Sequence, residues 1–288
     1  MSRVYVVTDG DAQMDPRTVR DLEITVVPLT VQVGDETYQD ELGQRNEELL
    51  MRMAAERVQP RIIGPTAEDF YALYSRLSRV TDQIISIHSS AKLSNIVQNA
   101  RTAASEFLGR CDIVVMDSQT TSLGLAILAR EAAKMAQSGR GRERILRRIR
   151  GMILRIYVVM FTDSLDYLER SGRISPAQCI LGTMLGIKPF LDIEEGEIIP
   201  LEKVRSRDKG LDKLVEFAAE FSRIEEAVIL QSPSYPTDEA LAIGERLQSY
   251  FPDQEFPLVV YGPLLASHVG PDGLGVVTYE GMGSRDFF

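Results

Sequence analysis

Two short segments carry the side chains with the clearest chemical potential. Ser89-Ser-Ala-Lys-Leu-Ser94-Asn95 lies between an apolar run and a helical pattern, where hydroxyl groups and the free N–H groups of a helix start favour an anion. The segment 267–275 holds His268 among three glycines and one proline, which predicts a tight turn with exposed backbone. In α/β proteins such loops border ligand crevices, so both are candidate binding segments.

Each of these side chains also has a structural interpretation. Ser94 suits the N-cap of the following helix as well as it suits a ligand. Arg205, at the end of a predicted strand, suits either a charge-assisted pair with a carboxylate or a surface ion pair. His268 is expected in a polar site, whereas His88 continues an apolar strand and is expected to be structural.

Familiar catalytic motifs are missing from the sequence, which contains no nucleophile elbow, P-loop, dinucleotide fingerprint or H-E-x-x-H pair. Two histidines cannot form a multi-histidine metal site, and Asp9 and Asp11 suit turns and caps more often than a cation. We therefore expect no metal and no cofactor. An enzyme alternative remains, in which Ser94 is the nucleophile and His268 the base for acyl or phosphoryl transfer.

The bulk composition excludes several classes of protein. A formal charge of −10 argues against nucleic-acid binding, and the arginines of segment 139–150 alternate with apolar residues as on a solvated helix. Cys111 and Cys179 lack C-x-x-C spacing and are expected to be buried, reduced thiols, which indicates a cytoplasmic protein. No run of about 18 apolar residues predicts an integral membrane segment.

The order of patterns predicts an α/β fold with two domains. In the first half, short apolar runs alternate with helical patterns, as in a three-layer α/β domain whose sheet is mostly parallel. After Phe161, strands Ile187–Ile193 and Glu197–Val204 form a predicted hairpin, so the second α/β domain has a mixed sheet with antiparallel strands. The length of 288 residues also favours two domains, which we place at 1–155 and 156–288.

Local signals predict individual elements. Asn46 starts a helix that runs to about Glu56, and Thr66-Ala-Glu-Asp69 resembles a capping box that opens another. The apolar run Ile24–Val33 predicts one strand, and Ser94–Leu108 and Ser122–Gln137 are predicted helices.

Short motifs along nearly the whole chain occur in an informative order. They are Val26-Val-Pro-Leu-Thr30, Ser90-Ala-Lys-Leu-Ser94, Val115-Met-Asp-Ser118 with Ser122-Leu-Gly124, Ser171-Gly-Arg-Ile-Ser175, Lys188-Pro189, Lys203-Val-Arg205 and His268-Val-Gly-Pro271. Each motif is weak alone, but in this order they resemble the DegV family of fatty-acid-binding proteins.

The resemblance implies a non-catalytic protein with a long-chain fatty acid buried between two α/β domains. Ser94 matches the family's hydroxyl ligand of the carboxylate, His268 the histidine near it, and Arg205 the arginine of the Val-Arg strand. Some family members present the carboxylate to a separate fatty-acid kinase, and Arg173 matches the turn associated with the surface that faces this kinase.

Two places depart from the family pattern. Ile62 stands where the family has a threonine whose hydroxyl binds the carboxylate, and Asn95-Ile96 replaces Gly-Thr after the ligand serine. Loss of one hydrogen bond to a buried carboxylate costs roughly 1 to 3 kcal/mol unless another donor replaces it. Either Asn95 is that donor, or the chain is a divergent member, without kinase coupling, that binds a different lipid-like ligand.

Overall fold

The computed structural model describes residues 3–40 and 43–281. The strands within these ranges are β1 (Tyr5–Asp9), β2 (Thr25–Val27), β3 (Leu29–Val33), β4 (Glu36–Asp40), β5 (Arg61–Ile63), β6 (Gln83–His88), β7 (Asp112–Asp117), β8 (Ile156–Phe161), β9 (Lys188–Glu194), β10 (Glu197–Val204), β11 (Glu226–Gln231), β12 (Leu258–Val260) and β13 (Leu274–Tyr279). The helices are α1 (Pro16–Asp21), α2 (Asn46–Glu56), α3 (Ala67–Leu77), α4 (Ile96–Ser105), α5 (Ser122–Gln137), α6 (Arg142–Ile153), α7 (Asp166–Arg170), α8 (Pro176–Met184), α9 (Arg207–Ala219), α10 (Asp238–Tyr250) and α11 (Pro263–Val269).

The first sheet is parallel, with the strand order β2-β1-β6-β7. Its central strands are buried on both faces, because neighbouring residues such as Ile84 and Ile85 belong to different apolar clusters. Helices α3 and α4 pack on one face, while α5 contributes to the cluster on the other. This arrangement confirms the predicted α/β class for the first half.

The second sheet is mixed, with the order β10-β9-β8-β13-β11-β12, and only β11 and β12 pair in parallel. The predicted β9–β10 hairpin is confirmed. Its turn residues Glu195 and Gly196 have φ values of 48° and 83°, which suit the tight turns that join twisted strands. Helix α5 also contacts β8 and β13, so it lies between the two sheets.

A small third sheet corrects the strand prediction over Ile24–Val33. That run forms two strands, because Pro28 interrupts it, and proline has no N–H to continue a ladder. β2 stays in the parallel sheet, whereas β3 pairs in antiparallel fashion with β4 and β5. β5, which contains Ile62, was not predicted, because three residues are too few to show a periodic pattern.

The segment around His268 also differs from the prediction of an exposed loop. Residues 263–269 form helix α11, with Pro263 in its first turn and Gly270 at φ 84° after its last residue, and all seven residues are buried. Buried Tyr261 holds the turn that follows, since its hydroxyl donates to the Gly270 carbonyl at 2.7 Å and accepts from the Gly273 N–H at 3.0 Å. His268 is therefore presented by a fixed helix.

Helix α6, the two cysteines and the length of the helices were also subjects of prediction. The arginine-rich segment forms helix α6 with its apolar residues buried, as expected. Cys111 is buried as predicted, but Cys179 is only partly buried, and both thiols are free. Among the described residues, no helix is both long enough and apolar enough to cross a bilayer.

We predict that Tyr261→Phe lowers the free energy of unfolding by about 2 kcal/mol, because two buried backbone groups lose their partner. Urea unfolding followed by circular dichroism measures the change. Tyr235→Phe is the matched control, since Tyr235 is 67% exposed and its variant should unfold like the parent protein. Equal stability of all three proteins would show that the Tyr261 hydroxyl does not hold the turn.

Candidate functional site

The loop that carries Ser94 is held along its whole backbone. Residues 89–94 connect β6 to the residue before α4, at the carboxyl edge of the parallel sheet. The N–H groups of residues 89 to 92 donate, in that order, to Asp9 Oδ2 at 3.0 Å, Thr120 O at 2.9 Å, Asp117 Oδ1 at 3.2 Å and Ser90 Oγ at 3.1 Å. The N–H groups of residues 93 and 94 both donate to the Ser90 carbonyl, at 3.0 and 3.2 Å. Ser94 therefore starts from a well-defined position.

Ser94, Asn95 and Ile62 line one cavity of about 480 Å³ between β5 and this loop. The Ser94 hydroxyl oxygen accepts a long hydrogen bond of 3.4 Å from the Ile96 N–H, so its own proton is available to a ligand. Asn95 occupies the N-cap position of α4, yet its side chain makes no capping hydrogen bond. The structure thus brings together the predicted hydroxyl, the predicted substitute donor and the position that lacks a hydroxyl.

The end of β5 and the start of α4 pack tightly against each other. A side chain on Gly64 would begin 2.5 Å from Cγ1 of Ile96, which is fully buried at the first position of α4. Ile62 lies two residues before Gly64 and packs against two apolar clusters, one of which extends into the second half of the chain. On the β5 side of the cavity, Ile62, Ile63 and Gly64 form an apolar wall between Arg61 and Thr66.

His268 is buried, and its ring makes no hydrogen bond of standard geometry. The residue is 8% exposed, and neither ring nitrogen meets the usual distance and angle criteria with a described residue. Burial, and then the positive charge of Arg173, lower its pKa to about 4, while a looser hydrogen-bonding contact with the Leu93 backbone opposes the shift. The imidazole is therefore neutral at pH 7 and adjoins the residue before Ser94.

Arg173 lies against the same loop. Its side chain is 14% exposed, Nη2 donates to the Lys92 carbonyl at 3.0 Å, and Nη1 lies 3.7 Å from the Glu197 carboxylate. The Nε atom is buried without a partner among the described residues. Arg173 and His268 thus place one cation and several unused polar atoms beside the Ser94 loop. The partner-facing role of Arg173 stays a prediction.

Arg205 is not brought to this group. It lies exposed after β10, and no hydrogen bond or ion pair within residues 3–40 and 43–281 joins it to Ser94 or His268. Its neighbour Arg207 instead pairs with both carboxylate oxygens of Glu239 at 2.6 Å. The head-group role of Arg205 also stays a prediction.

A buried polar chain under the loop went unrecognised in the sequence. Ser86 Oγ lies 2.7 Å from His88 Nε2, and His88 Nδ1 lies 3.0 Å from Asp9 Oδ2, in the order of a catalytic triad. All three side chains are fully buried, and Tyr74 donates its hydroxyl to Ser86 Oγ at 2.8 Å. Because these side chains have no surface open to a substrate, this chain of hydrogen bonds serves to connect β1, β6 and α3.

Asp11 caps the helix between the sheets. Its Oδ2 accepts the Ser122 N–H at 3.0 Å and the Thr121 hydroxyl, which satisfies the start of α5. The Ser89 hydroxyl lies 2.8 Å from Asp9 and 3.0 Å from Asp11, and burial, then the Asp9 charge, raise the pKa of Asp11 to about 6. The cap interpretation fits, and the described residues contain no group of three or more metal-ligating side chains that could hold a metal.

The geometry does not favour Ser94 as a nucleophile activated by His268. A triad requires the base within hydrogen-bond reach of the hydroxyl. Both ring nitrogens of His268 lack any such partner among the described residues, so the two side chains share no hydrogen bond. What they share is the loop between them, as expected for two groups that converge on a ligand.

Comparison with known proteins extends these observations to the whole chain. The family model described as "Uncharacterised protein, DegV family" matches residues 3–281. A DegV domain-containing protein of Streptomyces coelicolor is 33% identical over 284 residues, covering 96% of this chain and 99% of the relative. Another, from Halalkalibacterium halodurans, is 30% identical over 281 residues, covering 97% and 99%.

Solved structures agree in fold. A DegV family protein from Thermus thermophilus, described as showing fatty acid binding, superposes with a TM-score of 0.82 at 29% identity, covering 96% of this chain and 99% of that one. DegV from Bacillus subtilis, described as a fatty acid binding protein, superposes with a TM-score of 0.81 at 28% identity, covering 97% and 100%. This chain therefore belongs to the DegV family.

Proposed function

We propose that this protein binds a long-chain fatty acid without catalysing a reaction, and that its carboxylate lies between Ser94 and His268. The observation that carries the proposal is the buried His268 ring beside the Ser94 loop, whose two nitrogens make no hydrogen bond of standard geometry and whose looser contact with the Leu93 backbone uses at most one of them. Buried polar atoms without partners are rare in folded proteins and point to a missing ligand or water. Fatty acid binding by the related Thermus and Bacillus proteins supports the same choice.

The charges around this position support an acidic head group. Arg173 is a largely buried cation whose one acidic neighbour among its described contacts, Glu197, is 50% exposed and 3.7 Å away. A carboxylate beside Arg173 would meet a positive charge in a medium less polar than water. Neutral His268 and the Ser94 hydroxyl each supply one further donor.

The hydrocarbon tail accounts for most of the expected affinity. Each desolvated methylene contributes up to roughly 0.8 kcal/mol before the costs of association, so a chain of about 14 to 18 carbons binds strongly wherever an apolar lining receives it. We place that lining between the two proposed domains, residues 1–155 and 156–288, since helix α5 and both sheets share one apolar cluster there.

We further propose that the carboxylate is presented to a separate fatty-acid kinase in the cytoplasm. Support comes from helix α8, directly after the Arg173 turn, whose exposed apolar side chains offer a contact surface. They are Ile180, Leu181 and Met184, with Leu185 just beyond the helix. A second candidate is a different lipid-like ligand without kinase coupling, and the apolar wall around Ile62 favours it.

The proposal predicts that the purified protein carries lipid. Extraction with organic solvent followed by mass spectrometry should yield about one fatty acid per chain, and protein stripped of lipid should bind added palmitate. The matched control is the same extraction of an unrelated protein from the same cells. Absence of lipid, together with no binding of added fatty acid, would contradict the proposal.

Restoring the missing hydroxyl should tighten binding. Ile62→Thr adds a donor to the cavity that Ser94 lines, so we expect affinity for palmitate to rise by about 5- to 10-fold, which corresponds to one net hydrogen bond. Isothermal titration calorimetry measures it. Ile62→Val is the control, because valine has the shape of threonine without the hydroxyl. Equal affinities for both variants would show that the lost donor is already replaced.

Stability of the ligand-free protein should depend on pH through His268. The unfolded chain takes up the imidazole proton below about pH 6.5, whereas the folded protein takes it up only near pH 4, so stability is lost as pH falls through this window. Between pH 7 and 5 we expect His268→Gln to lose about 2 kcal/mol less than the parent protein in urea unfolding. An equal loss in both proteins would contradict a buried neutral imidazole.

A further inference from the structure

We infer that Ser90 is the positioning residue for Ser94, and that the β9–β10 turn acts through Ser90 to hold the ligand loop in place. This inference rests on the proposed function, because it concerns how the carboxylate ligand is positioned. It assigns a role in binding to a hairpin of the second sheet that lies outside the residues expected to touch the ligand.

Ser90 is the hydrogen-bond centre of the loop. Its N–H donates to Thr120 O at 2.9 Å, its carbonyl accepts from Leu93 and Ser94 at 3.0 and 3.2 Å, and its hydroxyl oxygen accepts from Lys92 at 3.1 Å. Three of the six loop amides therefore donate to Ser90, two of them to its carbonyl and one to its hydroxyl, so the position of Ser90 controls that of Leu93 and Ser94. Ser90 is fully buried, so water cannot easily replace any of these partners.

The Ser90 hydroxyl also joins the loop to the second sheet. It donates to the carbonyl of Gly196 at 2.6 Å. A side chain on Gly196 would collide with Ser90 Oγ and lie 3.1 Å from Cα of Gln119, so the turn closes directly onto the loops at the edge of the parallel sheet. The ion pair between Arg173 and Glu197, the residue after the turn, flanks this contact.

Removal of the Ser90 hydroxyl breaks both connections at once. The Lys92 N–H loses its acceptor and the Gly196 carbonyl loses its donor, so the turn and the loop become independent at the point where Ser94 must meet a carboxylate. The apolar core is untouched by this change, because alanine differs from serine by one oxygen. We therefore expect Ser90→Ala to weaken binding of the carboxylate head group more than binding of the hydrocarbon tail.

The first test compares Ser90→Ala with Thr81→Val at the opposite end of β6. Thr81 is also buried, and its hydroxyl likewise accepts from a backbone N–H, that of Gln83, and donates to a distant carbonyl, that of Arg3. We expect palmitate affinity to fall about tenfold in Ser90→Ala, with a clearly smaller loss for methyl palmitate, whose head group carries no charge. Thr81→Val should bind both ligands as the parent does. Equal losses for palmitate and its ester, or no loss in Ser90→Ala, would overturn the inference.

A second pair of variants tests the contact from the β9–β10 turn. This test does not require Ser90→Ala to fold. Gly196→Ala and Gly34→Ala both place alanine at a positive φ, 83° and 58°, in the turn of a hairpin, but nothing lies within 4 Å of the new side chain at position 34. Gly196→Ala should weaken palmitate binding and raise hydrogen exchange at residues 92–94, whereas Gly34→Ala should do neither. Equal behaviour of the two variants would overturn the inference.

The two levels of proposal fail in different ways. A parent protein that binds no palmitate contradicts the proposed function itself. A parent protein that binds palmitate, with Ser90→Ala and Gly196→Ala binding it equally well, leaves the function intact and removes only the positioning role of Ser90.

Discussion

Polar groups that are buried where the two sheets meet must have hydrogen-bond partners, and this requirement shapes the structure. The loop of residues 89–94 satisfies this requirement at every backbone N–H, with Asp9, Thr120, Asp117 and Ser90 as acceptors. Asp11 meets it for the start of helix α5, which packs between the sheets. Both ring nitrogens of His268 and Nε of Arg173 belong to the smaller set of buried polar atoms that lack such a partner among the described residues, and we propose the ligand position beside them because they adjoin the Ser94 loop.

Electrostatics and packing at this place act on opposite sides of the ligand. Arg173 and His268, both from the second half of the chain, supply charge and donors. On the β5 side of the cavity, Ile62 and Gly64 belong to the apolar wall. A carboxylate bound as we propose would therefore draw its stabilisation mostly from the second half of the chain and from Ser94.

Much of the architecture could be predicted from the sequence because it rests on local signals. The capping box at Thr66 and the β9–β10 hairpin turn both occur as expected. Contacts between distant residues could not be predicted. His88 bonds to Asp9, 79 positions away, and helix α11, which carries His268, contacts α2, β5 and α7 from both halves of the chain. Pro28 could have indicated the break between β2 and β3, but the apolar residues on both sides of it favoured the prediction of one continuous strand.

For the site as well, the sequence indicated individual residues but not the contacts between distant ones. Ser94, Asn95 and Ile62, which the motif resemblance singled out, line one cavity, and their roles in binding stay predictions. The contact of Arg173 with the Lys92 carbonyl depends on the fold and had no local signal.

A crystal structure of the protein with bound palmitate would locate the carboxylate directly. We expect carboxylate oxygens at hydrogen-bond distance, about 3 Å, from Ser94 Oγ and from a ring nitrogen of His268. A carboxylate that points away from both residues, with the tail end beside Ser94, would contradict this expectation.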